Sequence, residues 1–233
     1  MAVFFDGIDD NLATSQDGAA GVDTNGFTMA CFFLVQSAIS FNDSIVDFED
    51  SLVASTVFRT LEIVAPASSG FRPRLFHSFS GTDGRWRVSS DLAFGRWYHI
   101  VIAYDSSLTT NDPSMYLDNA NAAITEEAAP TGTRNTGFDT LFLGGSSVGE
   151  NLAGNIAFVS IDAGSLWDAV QINRHYWYGT IGGGIELVYP LATNDYTNKG
   201  TTSGATLSAN NGPITVSALM NALKGFVLLR SCT

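Results

Sequence analysis

Lysine is nearly missing from this chain: Lys199 and Lys224 are the only two of its eleven basic residues that are not arginine. Against 23 acidic residues this leaves a formal net charge of −12, which repels polyphosphate at long range and argues against general nucleic-acid binding. Arginine in place of lysine suits planar, multidentate contacts. Cysteine is scarce too. Cys31 and Cys232 stand near opposite ends of the chain, and Cys31 lies in the apolar run Met29 to Phe33, which reads as a buried thiol. A bridge between them would require the C-terminal tail to lie beside the second strand. Two such distant cysteines with three scattered histidines do not compose a metal site. No uninterrupted apolar tract of about 18 residues exists, so no membrane span is expected. Residues Met1 to Asp6 have neither a basic region nor a long apolar stretch, so no secretory signal is expected either.

What is present is apolar and glycine-rich: 45% hydrophobic residues and 23 glycines in 233 residues. That length suits one two-sheet β sandwich, able to bury about 70% of its unfolded surface without staples. The organising stretch runs from Phe94 to Asp118. From Trp97 to Tyr104 nearly every side chain is apolar or aromatic, which predicts a central strand covered on both faces. Asp105 to Pro113 is a polar turn, and Met115 to Asp118 returns as the antiparallel partner.

Phe71, Leu75, His77 and Phe79 alternate with Arg72, Arg74, Phe76 and Ser78, and Trp86 and Val88 alternate with Arg85 and Arg87. A four-residue loop over Ser80 to Asp83 would set Trp86 opposite His77 and gather Arg72, Arg74, Arg85 and Arg87 on one face. Unpaired arginines on one hairpin repel, which favours an acidic partner or glycan there over a merely solvated face. Further strands are expected over Val3 to Phe5, Phe27 to Gln36, Thr56 to Val64, Asn121 to Thr125, Thr140 to Gly144 and Asn155 to Asp162. Ala13 to Gly26 and Glu126 to Gly137 read as loops, and the partner of the second strand near Ile39 to Asp50 is unassigned. Ser165 is the expected N-cap of a short helix reaching about Tyr176, with His175 to Tyr178 as a packing plug. Residues 1–181 form the core and 182–233 an extension packed on the same domain, with a second short helix over Thr215 to Lys224 and a terminal strand over Phe226 to Leu229.

The ordered motifs Phe4-Phe5-Asp6-Gly7, Gly26-Phe27-Thr28, Gly95-Arg96-Trp97-Tyr98-His99, Tyr104-Asp105, Tyr116-Leu117-Asp118-Asn119, Leu141-Phe142-Leu143-Gly144-Gly145 and Gly154-Asn155-Ile156-Ala157 resemble the laminin G-like, concanavalin A-like jelly-roll family over roughly residues 3 to 176. Asn119-Ala120 replaces the glycine usual at that hairpin. The resemblance implies an all-β fold, a two-sheet antiparallel jelly-roll sandwich with one or two short helices. It also implies calcium at a sheet rim, with oxygen ligands from Asp105, Asp112 and Asp118 or from Asp6, Asp9 and Asp10.

Catalytic signals are weak. Gly145-Ser146-Ser147-Val148-Gly149 fits a hydrolase nucleophile pattern, but a polar turn and a strand follow it instead of a helix. Asp47, Glu49 and Asp50, and Glu126 with Glu127, lack the alternation of a glycosidase strand and read as solvated acids. Trp86, Trp97, Trp167 and Trp177 read as core, and His77, His99 and His175 as structural. The expectation is therefore a non-enzymatic structural or adhesion protein, a bacteriophage virion surface subunit for capsid decoration or a fibre. It would form a homo-oligomer among other virion or assembly proteins, with its chain ends held. The alternative is an extracellular carbohydrate-binding module for surface or matrix glycans. No cofactor is expected, calcium apart.

Overall fold

The computed structural model describes residues 2–14, 19–36, 42–50, 57–67, 70–179, 187–189, 191, 199–200, 206–210 and 215–217. The strands in the first half are β1 (Ala2–Asp6), β2 (Asn11–Thr14), β3 (Gly26–Val35), β4 (Asp43–Glu49), β5 (Val57–Ala67), β6 (Gly70–His77), β7 (Gly84–Val88) and β8 (Trp97–Asp105). There follow β9 (Ser114–Leu117), β10 (Ala120–Asn121), β11 (Ile124–Ala128), β12 (Thr140–Leu143), β13 (Ala153–Ala163), the helix α1 (Ala169–Tyr178), and β14 (Leu187–Tyr189), β15 (Leu207–Asn210) and β16 (Thr215–Ser217). One sheet runs β10-β9-β8-β3-β13-β1-β16, with β14 also on β13; the other runs β11-β7-β6-β5-β4-β12-β2-β15. Their strand pairs are antiparallel, and the two inner faces enclose one continuous core. This is the two-sheet jelly-roll sandwich expected.

Strand β8 pairs with β3 from Tyr104 opposite Phe27 to Trp97 opposite Leu34, and with β9 on its other edge. Tyr98, Ile100, Ile102 and Tyr104 enter the main core. Val101 points outward into a second cluster with Ala30, Trp167 and Ile172. Both faces are covered because α1 lies against the outer side of this sheet. At the β9–β10 turn Asp118 and Asn119 have φ of 50° and 66°. Short polar side chains tolerate that left-handed region, so they replace glycine in the two-residue turn.

Several local expectations shift. Trp86 stands opposite Leu75 and Gly84 opposite His77, so the loop spans six residues; a two-residue slip leaves every side chain on its predicted face. The helix is capped by Asp168, whose side chain accepts the Gln171 amide while Gln171 returns to the Asp168 amide. Ser165 serves differently, its carbonyl accepting from the Thr28 hydroxyl at 2.9 Å. Gly179 closes the helix at φ 70°, where a Cβ would strike the Phe158 ring at 2.5 Å. Asn11–Thr14 is a strand and not a connection, and Glu126 and Glu127 lie on the edge strand β11, which carries a bulge between Glu126 and Ala128. Thr215–Ser217 is a strand on β1, not the start of a helix. Residues 218–233, including the expected terminal strand and Cys232, and Met1 lie outside the described residues, as does the stretch 180–186.

Arg59 is the unusual member of the core. Its guanidinium lies 3.5 Å from the Phe27 ring centroid and 5.1 Å from that of Phe138, and donates to the Thr24 carbonyl at 3.1 Å. Its Nε and Nη1 are buried without a partner, and burial lowers its pKa to about 9. Replacing a buried, poorly paired charge by an apolar side chain of similar volume is neutral or stabilising by about 1–4 kcal/mol. Arg59→Met is accordingly expected to keep or raise the thermal midpoint, whereas Arg59→Ala, which opens a cavity, lowers it; thermal denaturation of the two variants checks both.

Candidate functional site

A concave feature lined by convergent polar groups lies where β8 ends. The loop from Asp105 to Pro113 is built on its own backbone: the Ser107 amide donates to Asp105 Oδ1 at 3.0 Å, and Asn111 Nδ2 to the Asp105 carbonyl at 3.0 Å. Ser106 ties it to the start of β3, both its amide and its hydroxyl donating to the Asn25 carbonyl. Asp112 is held from beneath. The indole Nε1 of Trp86, itself fully buried on the opposite sheet, donates to Asp112 Oδ1 at 2.8 Å. Tyr104 packs on that indole with ring centroids 5.0 Å apart, and burial followed by Asp112 and Asp105 pushes its phenol pKa up.

The opposite wall is the segment entering α1. Thr28 accepts the Trp167 amide at 3.0 Å, and Trp167 Nε1 donates to Asp162 Oδ2 at 2.6 Å. Between loop and segment lies an open groove of 370 Å³ lined by Ala103, Asp105, Thr110, Asn111, Asp112, Ser114, Tyr116, Leu166 and Trp167, with Ala103, Ser114 and Tyr116 on one face of the paired strands β8 and β9. This volume falls in the range of small-molecule sites, about 300–1,000 Å³. The lining combines polar oxygens with a half-buried aromatic ring and an exposed leucine. Such an arrangement can bind hydroxyl-rich rings, whose edges form hydrogen bonds and whose faces are apolar.

The sequence-derived calcium set Asp105, Asp112 and Asp118 is not brought together. Asp105 and Asp112 line the groove, but Asp118 receives the His99 amide at 3.0 Å and pairs with Arg96 at 2.9 Å. It therefore sits at the other end of β8, about 20 Å from Asp105 along the strand at 3.3 Å per residue. Asp6, Asp9 and Asp10 do converge, with one oxygen of each within 4.8 Å of the others, and burial, then Asp6, raises the Asp10 pKa.

The four arginines share a face, with Arg74 directly opposite Arg87, yet three of them have acidic partners. Arg72 pairs with Asp91 at 2.5 Å, Arg74 with Glu62 at 2.7 Å and Glu127 at 3.3 Å, and Arg87 with Glu127 at 2.6 Å. Arg85 lies over the Phe76 ring. The repulsion expected of unpaired charges is thus neutralised by neighbouring strands. Asp47 and Glu49 are likewise not solvated. Both are buried on β4; Asp47 accepts the Thr60 hydroxyl at 2.6 Å, and Glu49 accepts the amide and hydroxyl of Ser147. Burial, then Glu49, holds the Asp47 carboxyl well above the usual carboxylate range. Ser147, the serine of the hydrolase-like pattern, is thereby spent on a carboxylate in a β12–β13 loop.

Sequence reasoning left Thr110, Asn111, Ser114, Tyr116 and Leu166 out of any site. The available signal was the run Ser106 to Asp112, rich in hydroxyl and amide groups, together with an aromatic on the returning strand. Trp177 and Tyr178, read as packing, are exposed, while His175 is buried.

No known protein family matches the sequence, and no curated protein is similar to it. Solved structures are similar in fold. A native heptameric SAP-like pentraxin from Limulus polyphemus superposes with a TM-score of 0.62 at 11% identity, covering 94% of this chain and 95% of that one. A putative carbohydrate-binding protein from Bacteroides ovatus gives 0.61 at 17% identity, over 93% of this chain and 60% of the other. The enzymatically active domain of tailspike protein 2 of bacteriophage CBA120 gives 0.50 at 16%, over 72% and 26%. The fold is thus a concanavalin A-like jelly roll, an architecture shared by enzymes and non-enzymes.

The seat of α1 is titratable. His99 Nε2 and His175 Nδ1 are 2.8 Å apart, and His175 Nε2 lies 3.1 Å from the Ser160 hydroxyl. Burial depresses both pKa values, that of His175 to about 4, with His175 adding to the effect on His99. Both are therefore neutral in the fold, and the stability they contribute is complete above about pH 6.5, their unfolded pKa, and lost as pH falls toward 4. Buried Asp47 and Glu62, with raised pKa values, act oppositely, so the histidine effect is isolated by difference. The stability advantage of the native chain over His175→Gln should shrink between pH 7 and pH 5 in urea titrations.

Proposed function

We propose that this concanavalin A-like jelly roll is a non-catalytic glycan-binding domain that serves attachment, with the groove between Asp112 and Leu166 as its sugar site. The observation that carries this reading is one groove lined by carboxylate, amide and hydroxyl groups together with the Tyr116 ring. Similar folds occur in the carbohydrate-binding protein of Bacteroides ovatus and in the phage tailspike domain, which lends the class support. Burial of Asp47 and Glu49, with Ser147 bonded to Glu49, takes that pair out of reach of a glycoside, which favours binding over catalysis at β4.

A glycan array should give saturable binding to a defined sugar class. Tyr116→Ala should weaken that binding at least about tenfold, the loss of a central aromatic contact, with the β-sheet signature retained by circular dichroism. Binding to no glycan would refute the reading.

A virion surface subunit, for capsid decoration or a fibre, is the second reading. It is favoured by the apolar side chains Leu166, Val170 and Tyr178, exposed before and along α1 with Arg174 between the last two, a mixed surface suited to a neighbouring subunit or a second copy of this chain. Calcium belongs to the same reading as a proposed ligand of Asp6, Asp9 and Asp10, whose oxygens suit a hard cation. Added calcium should then raise the thermal midpoint, and Asp9→Asn should abolish the rise; an unchanged midpoint in the native chain would remove calcium from the account.

A further inference from the structure

The groove is unequal in what it offers a ligand. Asp112 spends Oδ1 on the Trp86 indole and Asp105 spends Oδ1 on the Ser107 amide, which leaves the second oxygen of each carboxylate for a ligand. Asn111 gives one N–H of its amide to the Asp105 carbonyl, so its carbonyl oxygen and its second N–H remain for a ligand. The Thr110 and Ser114 hydroxyls and the second Asn111 N–H can donate, but none of these carries a charge. Among the described residues no lysine, arginine or histidine lines the groove. The arginine tethered next to this loop, Arg134, is already engaged by Asp23 and Asn25.

We infer that the groove selects amine-bearing sugars: a ring whose ammonium donates to the carboxylates of Asp105 and Asp112 while its remaining hydroxyls donate to Asn111 Oδ1 and its face rests on Tyr116. The inference rests on the glycan-binding reading and deepens it. Charge-assisted hydrogen bonds are roughly twice as strong as neutral ones, so the ammonium form outbids the parent hydroxyl sugar. A uronate or sialylated ring brings a third negative charge against two carboxylates that have no counter-ion, and is excluded. The core supplies the orientation. Because a buried indole holds Asp112 in place, its carboxylate does not need to be ordered when ligand arrives.

The experiment is a glycan array of matched sets, each neutral oligosaccharide printed beside its deacetylated amino counterpart and its uronate counterpart, followed by titration calorimetry on the best set. The amino form should bind at least about tenfold more tightly than the neutral one, equivalent to about 1.4 kcal/mol. That preference should fall as salt rises, and the uronate should not bind. Asp112→Asn keeps an oxygen for the Trp86 indole and removes the charge, so it should erase the amine preference while retaining the fold by circular dichroism; Glu126→Gln, on the exposed edge strand, should leave it intact. Neutral sugars bound as tightly as amino sugars would overturn the inference and leave the glycan reading standing. An amine preference that survives Asp112→Asn would overturn it also, by placing the ligand elsewhere. Retention of no sugar of any class would overturn both.

Discussion

Strand β8 is buried from two sides, by the second sheet and by α1, and this double cover sets the terms for the rest of the molecule. A strand in that position must supply apolar groups in both directions, which is why Tyr98, Ile100, Ile102 and Tyr104 serve one core and Val101 another. Its backbone polar groups are satisfied by β3 and β9 along its edges, as buried amides must be. Wherever the outward face carries a polar side chain, a partner must come from the helix. His99 meets that demand through His175, and His175 through Ser160. The groove exists because this cover stops short: α1 begins at Ala169, and the strand runs on past it to Asp105.

The central strands were legible in the sequence because a continuous apolar run bounded by polar turns has few other meanings. The alternation in β6 and β7 was legible as parity, but not as absolute register. Phe71, Leu75 and Trp86 keep to the core whether Trp86 meets His77 or Leu75, since an even slip preserves faces. The helix start was misplaced for a related reason. Ser165 and Asp168 are both good caps, and the choice fell to Asp168 because Thr28 and Asp162 hold the chain extended through Trp167. Acidic residues misled most. Asp47 and Glu49 look solvated in one dimension, yet Thr60 and Ser147 reach them from a neighbouring strand and from a loop about a hundred residues away in sequence. Asp118 looked like a companion of Asp105 because a hairpin returns the chain, but the return carries it to the far end of β8.

Charge is distributed with the same economy. The nine arginines might have made a basic face on an acidic protein; instead Arg72, Arg74 and Arg87 are bound to acids from adjacent segments. The more exposed of these pairs, Arg72 with Asp91 and Arg87 with Glu127, add little stability individually. Their larger effect is to cancel the hairpin's positive field, so the acidic excess is left to the loops. Asp105 and Asp112 belong to that excess, and the groove inherits an electrostatic character set by arginines that do not touch it.

The edge strand β11 ends one sheet with a bulge between Glu126 and Ala128, two exposed acids and Pro130 two residues further on. Unpaired strand edges are templates for another chain, and charge, bulges and proline are the means by which such templating is blocked. Copies of this protein crowded side by side are therefore denied strand-to-strand stacking along that border. A second chain meeting the protein there finds a charged, kinked margin, and any sheet-to-sheet continuation has to start from another edge.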